Sequence, residues 1–167
     1  MASPFRIMTV CTGNICRSPM AEVVLKARLA EAGLGDAVEV WSTGVSSEEH
    51  GNPIDRRASA VLREAGYTVP RRSARRVTAA DLGSADLVLA MTAGHARRLR
   101  DLTDRPVVHL YREFDPAAPA VDGLDEHLLD IDDPWYGGMD DFRTTLAQVE
   151  AGADGVVAAA REALARR

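Results

Sequence analysis

The sequence has 167 residues, 46% hydrophobic and 27% charged, with a net charge of -5 at pH 7. That length fits one domain, expected to span residues 1–167 and to bury roughly 70% of the surface its unfolded chain exposes. Two cysteines exclude a disulfide scaffold, no apolar run approaches the roughly 18–20 residues of a membrane span, and Met1 to Arg6 lacks a signal-peptide pattern, so a soluble cytoplasmic domain is expected.

In chain order, Arg6 to Val10 reads as a short buried strand entering a Gly-containing turn. Ser18 is expected to cap a helix from Pro19 to about Ala32, with Gly33 ending it. Val38 to Ser42 is a second strand. Asn52-Pro53 is expected to open a helix to about Ala65. Between Arg56 and Arg76 lie seven arginines and one acid, best read as solvated helix surface. The acidic balance of the whole chain disfavours nucleic acid as a partner.

Thr78 and Asp81 have capping-box spacing and open a short helix. Ala85 to Ala90 suits a central parallel strand, Thr92 caps a helix reaching Leu102, and Val107 to Leu110 is a fourth strand. A long loop, Arg112 to Gly138, follows; the stretch Glu113 to Asp141 carries ten carboxylates and no Lys or Arg. The last helix runs from about Met139 to Leu164. Strands alternating with helices predict an α/β fold: an open twisted sheet of about four parallel strands with helices on both faces. Ligands then bind beyond the carboxyl ends of the strands, where the first strand delivers Cys11.

The segment Cys11-Thr12-Gly13-Asn14-Ile15-Cys16-Arg17-Ser18 lies between that strand and its helix. A loop turning into a helix points several N–H groups into one concavity, which binds an anion. Gly13 and Asn14 tolerate the tight curl. Arg17 adds a planar fork matching two phosphate oxygens. A thiol in that field is stabilised as the thiolate, a nucleophile set against bound phosphorus. The arrangement requires no metal or other cofactor, and it lacks the Gly-Lys-Ser/Thr ending of a nucleotide-binding P-loop.

Residues 11–22, Cys-Thr-Gly-Asn-Ile-Cys-Arg-Ser-Pro-Met-Ala-Glu, resemble the signature of low-molecular-weight protein tyrosine phosphatases. The resemblance continues through Ser42-Thr43-Gly44, Gly51 to Asp55, Leu87 to Met91 and Asp133-Pro134-Trp135-Tyr136-Gly137. It implies hydrolysis of phosphotyrosine in protein substrates through a phosphocysteine, with inorganic phosphate and similar oxyanions also binding the loop. Cys11 is then the nucleophile. Arg17 and the amides of Thr12, Gly13, Asn14, Ile15, Cys16 and Ser18 hold the phosphoryl group. Asp133, restrained by Pro134, is the general acid and later the base. Asp132 is its rival on sequence alone, and Asp132 or Asp130 would be the second acid that keeps it protonated. The resemblance further implies that Asn14 holds the loop through Ser18 and Ser42, that Ser18 donates to the Cys11 thiolate, and that Cys16 can form a reversible disulfide with Cys11.

Trp135 and Tyr136 are expected to stack a phenyl ring at the pocket rim. The opposing rim is Ser46 to His50, with Glu48, Glu49 and His50 nearest the substrate; many family members carry an aromatic residue where Glu48 stands. Arg72 stands where the family often has a His bonded to the Asn14 network. These departures predict weaker binding of small aryl phosphates. A thiol-dependent arsenate reductase is the enzymatic rival, but it needs cysteines beyond Cys16. A non-catalytic phosphotyrosine-binding module would lack the Cys, the Arg or the acid, and all three are present.

Overall fold

The computed structural model describes residues 2–167. Strand β1 (Phe5–Cys11) leads to helix α1 (Arg17–Glu31), β2 (Val38–Gly44), α2 (Arg56–Glu64), α3 (Ala79–Ser84), β3 (Leu87–Ala90), α4 (Ala93–Arg100), β4 (Val108–Leu110) and α5 (Met139–Ala165). Short 3₁₀ turns at Tyr111–Phe114, Glu126–Leu129 and Pro134–Tyr136 break up the acidic connection expected to be a plain loop. The strands form one parallel sheet in the order β2-β1-β3-β4. β1 and β3 are central, which suits the apolar run of β3 and the buried Ile7 to Cys11 of β1.

Strand alternation divides the core in two. Ile7, Cys11, Leu87 and Leu89 face α1, α2 and α5 through Met20, Leu25, Leu62, Phe142 and Val149. Met8, Val10, Val88 and Ala90 point the other way, onto Leu82 of α3 and Ala96 and Leu99 of α4. Among the described residues no helix is long and apolar enough to cross a membrane.

Two helix starts differ from expectation. α1 begins at Arg17, capped by Cys16 without a side-chain bond, so Ser18 is not its cap. The Ser18 hydroxyl turns inward instead, and the first-turn N–H groups stay uncapped, facing the end of β1. α2 begins at Arg56 rather than Asn52-Pro53. Asp55 caps it, accepting from the Arg57 N–H at 2.7 Å and the Ala58 N–H at 3.4 Å. The Thr78–Asp81 capping box and the Thr92 cap form as expected.

Candidate active site

At the carboxyl end of β1 the chain leaves the sheet, and one residue makes the turn possible. Asn14 takes φ 62°, the only non-glycine residue described with positive φ. It is fully buried, and its side-chain polar atoms and backbone oxygen are all bonded. Its Oδ1 accepts from the Arg75 N–H at 3.1 Å and from Arg72 Nη2, and its backbone O accepts from Arg72 Nη1 at 2.6 Å. Two donors on Oδ1 identify it as the oxygen, so Nδ2 donates to Ser18 Oγ at 2.9 Å and Ser42 Oγ at 3.0 Å. Ser42 in turn donates to Glu22 Oε1 at 2.6 Å. Asn14 is thus bonded to both Ser18 and Ser42, and Arg72 joins them.

The loop presses against β2. Cys11 pairs with Gly44 in register, and a Cβ at Gly44 would lie 2.5 Å from Thr12 O. The amides of Thr12 to Arg17 donate to no protein acceptor among the described residues. Residues this close to a helix N-terminus with free N–H groups form an anion concavity.

Cys11 is 2% exposed, and its Sγ lies 3.0 Å from Ser18 Oγ. Ser18 Oγ already accepts from Asn14, so its single proton is left to choose between Cys11 Sγ and Thr43 O at 3.2 Å. A thiolate takes that proton. Cys16 is buried beside it; burial first, then the nearby Asp55, Cys11 and Asp133 charges, push its thiol far up. Both cysteines are free thiols.

Arg17 is buried at the head of α1. Nη1 donates to Ile131 O at 2.9 Å, Nη2 reaches Thr12 Oγ1 and Asp133 Oδ2 at 3.4 Å each, and Nε has no partner among the described residues. A buried donor of this kind is suited to an oxyanion. Thr12 Oγ1 also lies 2.8 Å from Nε2 of the buried His95. Burial, then Arg17 and Arg98, lower the His95 imidazole to about 3. A neutral ring bonds the Thr12 hydroxyl through Nε2 as acceptor or as donor according to its tautomer, and in both cases the hydroxyl oxygen keeps a lone pair for Arg17. His95 carried no signal in the sequence, because its partner is 83 residues away.

One pocket is lined by Cys11, Thr12, Gly13, Ile15, Cys16, Arg17, Glu48, Glu49, Asp133, Trp135 and Tyr136. Asn14, Ser18 and Ser42 lie behind it. His50 is not among the lining residues, and its N–H donates to Ser47 O. Asp133 Oδ1 accepts from the Trp135 N–H at 3.1 Å. Asp130 Oδ1 accepts from the Ala93 N–H at the start of α4, 2.7 Å away. The arginines of residues 56–76 are not all solvated surface either. Arg72 holds Asn14, Arg75 grips Asp81 at 2.7 Å with two nitrogens, and Arg57 binds Asp55 and the loop after Asp133.

Known proteins are similar to this chain in sequence and fold. The sequence profile for "Low molecular weight phosphotyrosine protein phosphatase" matches residues 6–166. A low molecular weight protein-tyrosine-phosphatase of Streptomyces coelicolor is 44% identical over 162 residues, covering 95% of this chain and 94% of the relative. Low molecular weight protein-tyrosine phosphatase A of Mycobacterium tuberculosis is 41% identical over 167 residues, covering 99% and 98%. A protein tyrosine phosphatase of Entamoeba histolytica, solved with Hepes in its active site, superposes with a TM-score of 0.86 at 26% identity, covering 96% of this chain and 99% of that one. Over this length of chain and at these identities, the protein belongs to the low molecular weight phosphotyrosine protein phosphatase family, a family of hydrolases.

Proposed function

We propose that residues 1–167 form one cytoplasmic phosphatase domain that hydrolyses phosphotyrosine in proteins, and aryl phosphates, through a phosphocysteine on Cys11. The observation that carries this reading is the sharing of one pocket by the Cys11 sulfur, the Arg17 guanidinium and the Asp133 carboxyl. The Cys11 thiolate attacks phosphorus, the S–P bond forms and the P–O bond to the tyrosyl oxygen breaks. Asp133 gives that oxygen its proton. Asp133, now ionised, takes a proton from water as the water attacks phosphocysteine, and inorganic phosphate leaves. Arg17 and the loop amides stabilise the equatorial oxygens in both steps. Thr12 and His95 hold one edge of Arg17, and Ser18 stabilises the departing sulfur. Trp135 and Tyr136, 44% and 88% exposed, offer the substrate ring one wall. Glu48 stands opposite without an aromatic face.

Cys16 is proposed as a redox guard. Peroxide oxidises the Cys11 thiolate to a sulfenic acid, and Cys16 condenses with it, releasing water and leaving a reducible disulfide. Burial of the Cys16 thiol works against its ionisation and makes this step slow.

The test is metal-free turnover of p-nitrophenyl phosphate and a phosphotyrosine peptide by wild type, Cys11→Ser and Asp133→Ala. Cys11→Ser should be inactive, and Asp133→Ala should lose about 10²–10⁴-fold. Turnover surviving Cys11→Ser sinks the mechanism. A wild-type protein that binds the peptide without turnover is a binding module, and one that reduces arsenate is the reductase.

A further inference from the structure

Arg57 lies outside the pocket, yet it ties together the two segments that build it. Asp55 is attached to the loop of residues 11–18 through its N–H, which donates to Ile15 O at 2.8 Å. The Asp55 carboxylate accepts from Arg57 Nε and Nη2, both at 3.2 Å. Burial alone would raise the Asp55 carboxyl, but the side-chain and backbone bonds from Arg57 outweigh it and hold the group ionised, below its usual range.

The remaining nitrogen of Arg57 points across the pocket wall. Nη1 donates to Trp135 O at 3.1 Å and Gly137 O at 3.2 Å, at either end of the turn that follows Asp133. The guanidinium lies over the Trp135 ring at 5.2 Å and over the Phe142 ring of α5 at 4.6 Å. Asp133 has no such packing of its own. Its side chain is 35% exposed and, among the described residues, is bonded only to the Trp135 N–H and, loosely, to Arg17. Where its carboxyl sits therefore follows from the backbone of residues 133–137, and two carbonyls of that backbone are held by Arg57.

We propose that Arg57 is a positioning residue for proton transfer: it sets the Asp133 loop against the loop that carries Cys11. The proposal rests on the reading of Asp133 as the general acid. The rival is local: a guanidinium at the start of α2 that merely pairs with its own helix cap. Lysine cannot replace it under the proposal, since the role uses a bidentate fork, a third donor and a flat stacking face at once. Under the rival, the charge alone suffices.

The experiment is a double-mutant cycle of Arg57→Met and Asp133→Ala, read on phenyl phosphate and p-nitrophenyl phosphate, with Arg57→Lys beside it. Arg57→Met should lower kcat on phenyl phosphate about 10-fold, a fraction of what a general acid supplies. The loss should be smaller on p-nitrophenyl phosphate, whose leaving group needs less protonation. Inhibition by inorganic phosphate should stay within about 2-fold, since loop 11–18 is untouched. In the Asp133→Ala background the same substitution should change kcat by less than about 2-fold, because the two act as a unit. Arg57→Lys should resemble Arg57→Met, and it carries the test if the Met variant fails to fold. An equal loss in both backgrounds, no loss at all, or full rescue by Lys overturns the proposal. A wild-type rate for Asp133→Ala on phenyl phosphate overturns the acid assignment itself, and this inference with it.

Discussion

Gly44→Ala tests the geometry of the anion loop with a single methyl group. The new Cβ would sit 2.5 Å from Thr12 O, 3.1 Å from Asn14 N and 3.2 Å from Gly13 C. All three are backbone atoms, so no side chain can swing aside. Unstrained contacts of carbon lie near 3.5–4.0 Å, so the loop and β2 must part by about 1 Å. Neither side yields freely. Thr12 O accepts from the Ser46 N–H at 3.1 Å, the Gly44 N–H donates to Arg75 O at 2.9 Å, and Gly44 O accepts from the Val77 N–H at 2.8 Å. Overpacking of this kind costs about 1–3 kcal/mol, and each kcal/mol lowers Tm by roughly 2–4 °C for a chain of this size. A displacement of about 1 Å in a site that must match three phosphoryl oxygens costs on the order of 10²-fold in kcat/KM. The assays are thermal denaturation and p-nitrophenyl phosphate kinetics, with inhibition by inorganic phosphate measured alongside. Phosphate should bind more weakly too, because the damage is to the anion loop rather than to Asp133. A variant with kcat/KM within about 2-fold of wild type would refute the reasoning, whatever its Tm.

Three other changes have distinct signatures. Arg72→Met strips two donors from buried Asn14 and should cost about 1–3 kcal/mol with a fall in kcat/KM, whereas Arg72→His keeps a donor and recovers part; an unchanged melting curve for the Met variant would count against the network. His95 is lowered from its ordinary 6.5 to about 3 by burial, so below pH 6.5 the unfolded chain binds a proton that the folded chain refuses. Stability should then fall on acidification by up to about 1.4 kcal/mol per pH unit between those values, and His95→Asn should remove that part of the slope; parallel stability–pH profiles for the two proteins would show that the ring is not held neutral. Glu48→Trp supplies the missing aromatic wall, worth about 0.5–1.5 kcal/mol, and should raise kcat/KM on aryl phosphates by roughly 2–10-fold; no gain would mean that the substrate ring does not reach Glu48.

The sequence by itself determined the sheet, the order of its elements and the place of the Cys11 to Ser18 loop between β1 and α1. Those features are local: strand alternation, capping chemistry and turn residues act over a few positions, and Cys11, Asn14 and Arg17 are brought together by the turn they make. The expectation for Asp133 rests on a similar local cue, the Pro134 that follows it. Tertiary structure alone decided which arginines matter. Arg57 reads as solvated surface in the sequence because its partner Trp135 is 78 residues away, and only the resemblance pointed Arg72 at Asn14, 58 residues away. The same holds for Thr12 and His95, for Asp130 on the Ala93 amide, and for Ser18, whose hydroxyl left the expected cap for the buried network. A guanidinium or hydroxyl bonds whatever acceptor chain closure places beside it, and that choice has no local pattern to betray it.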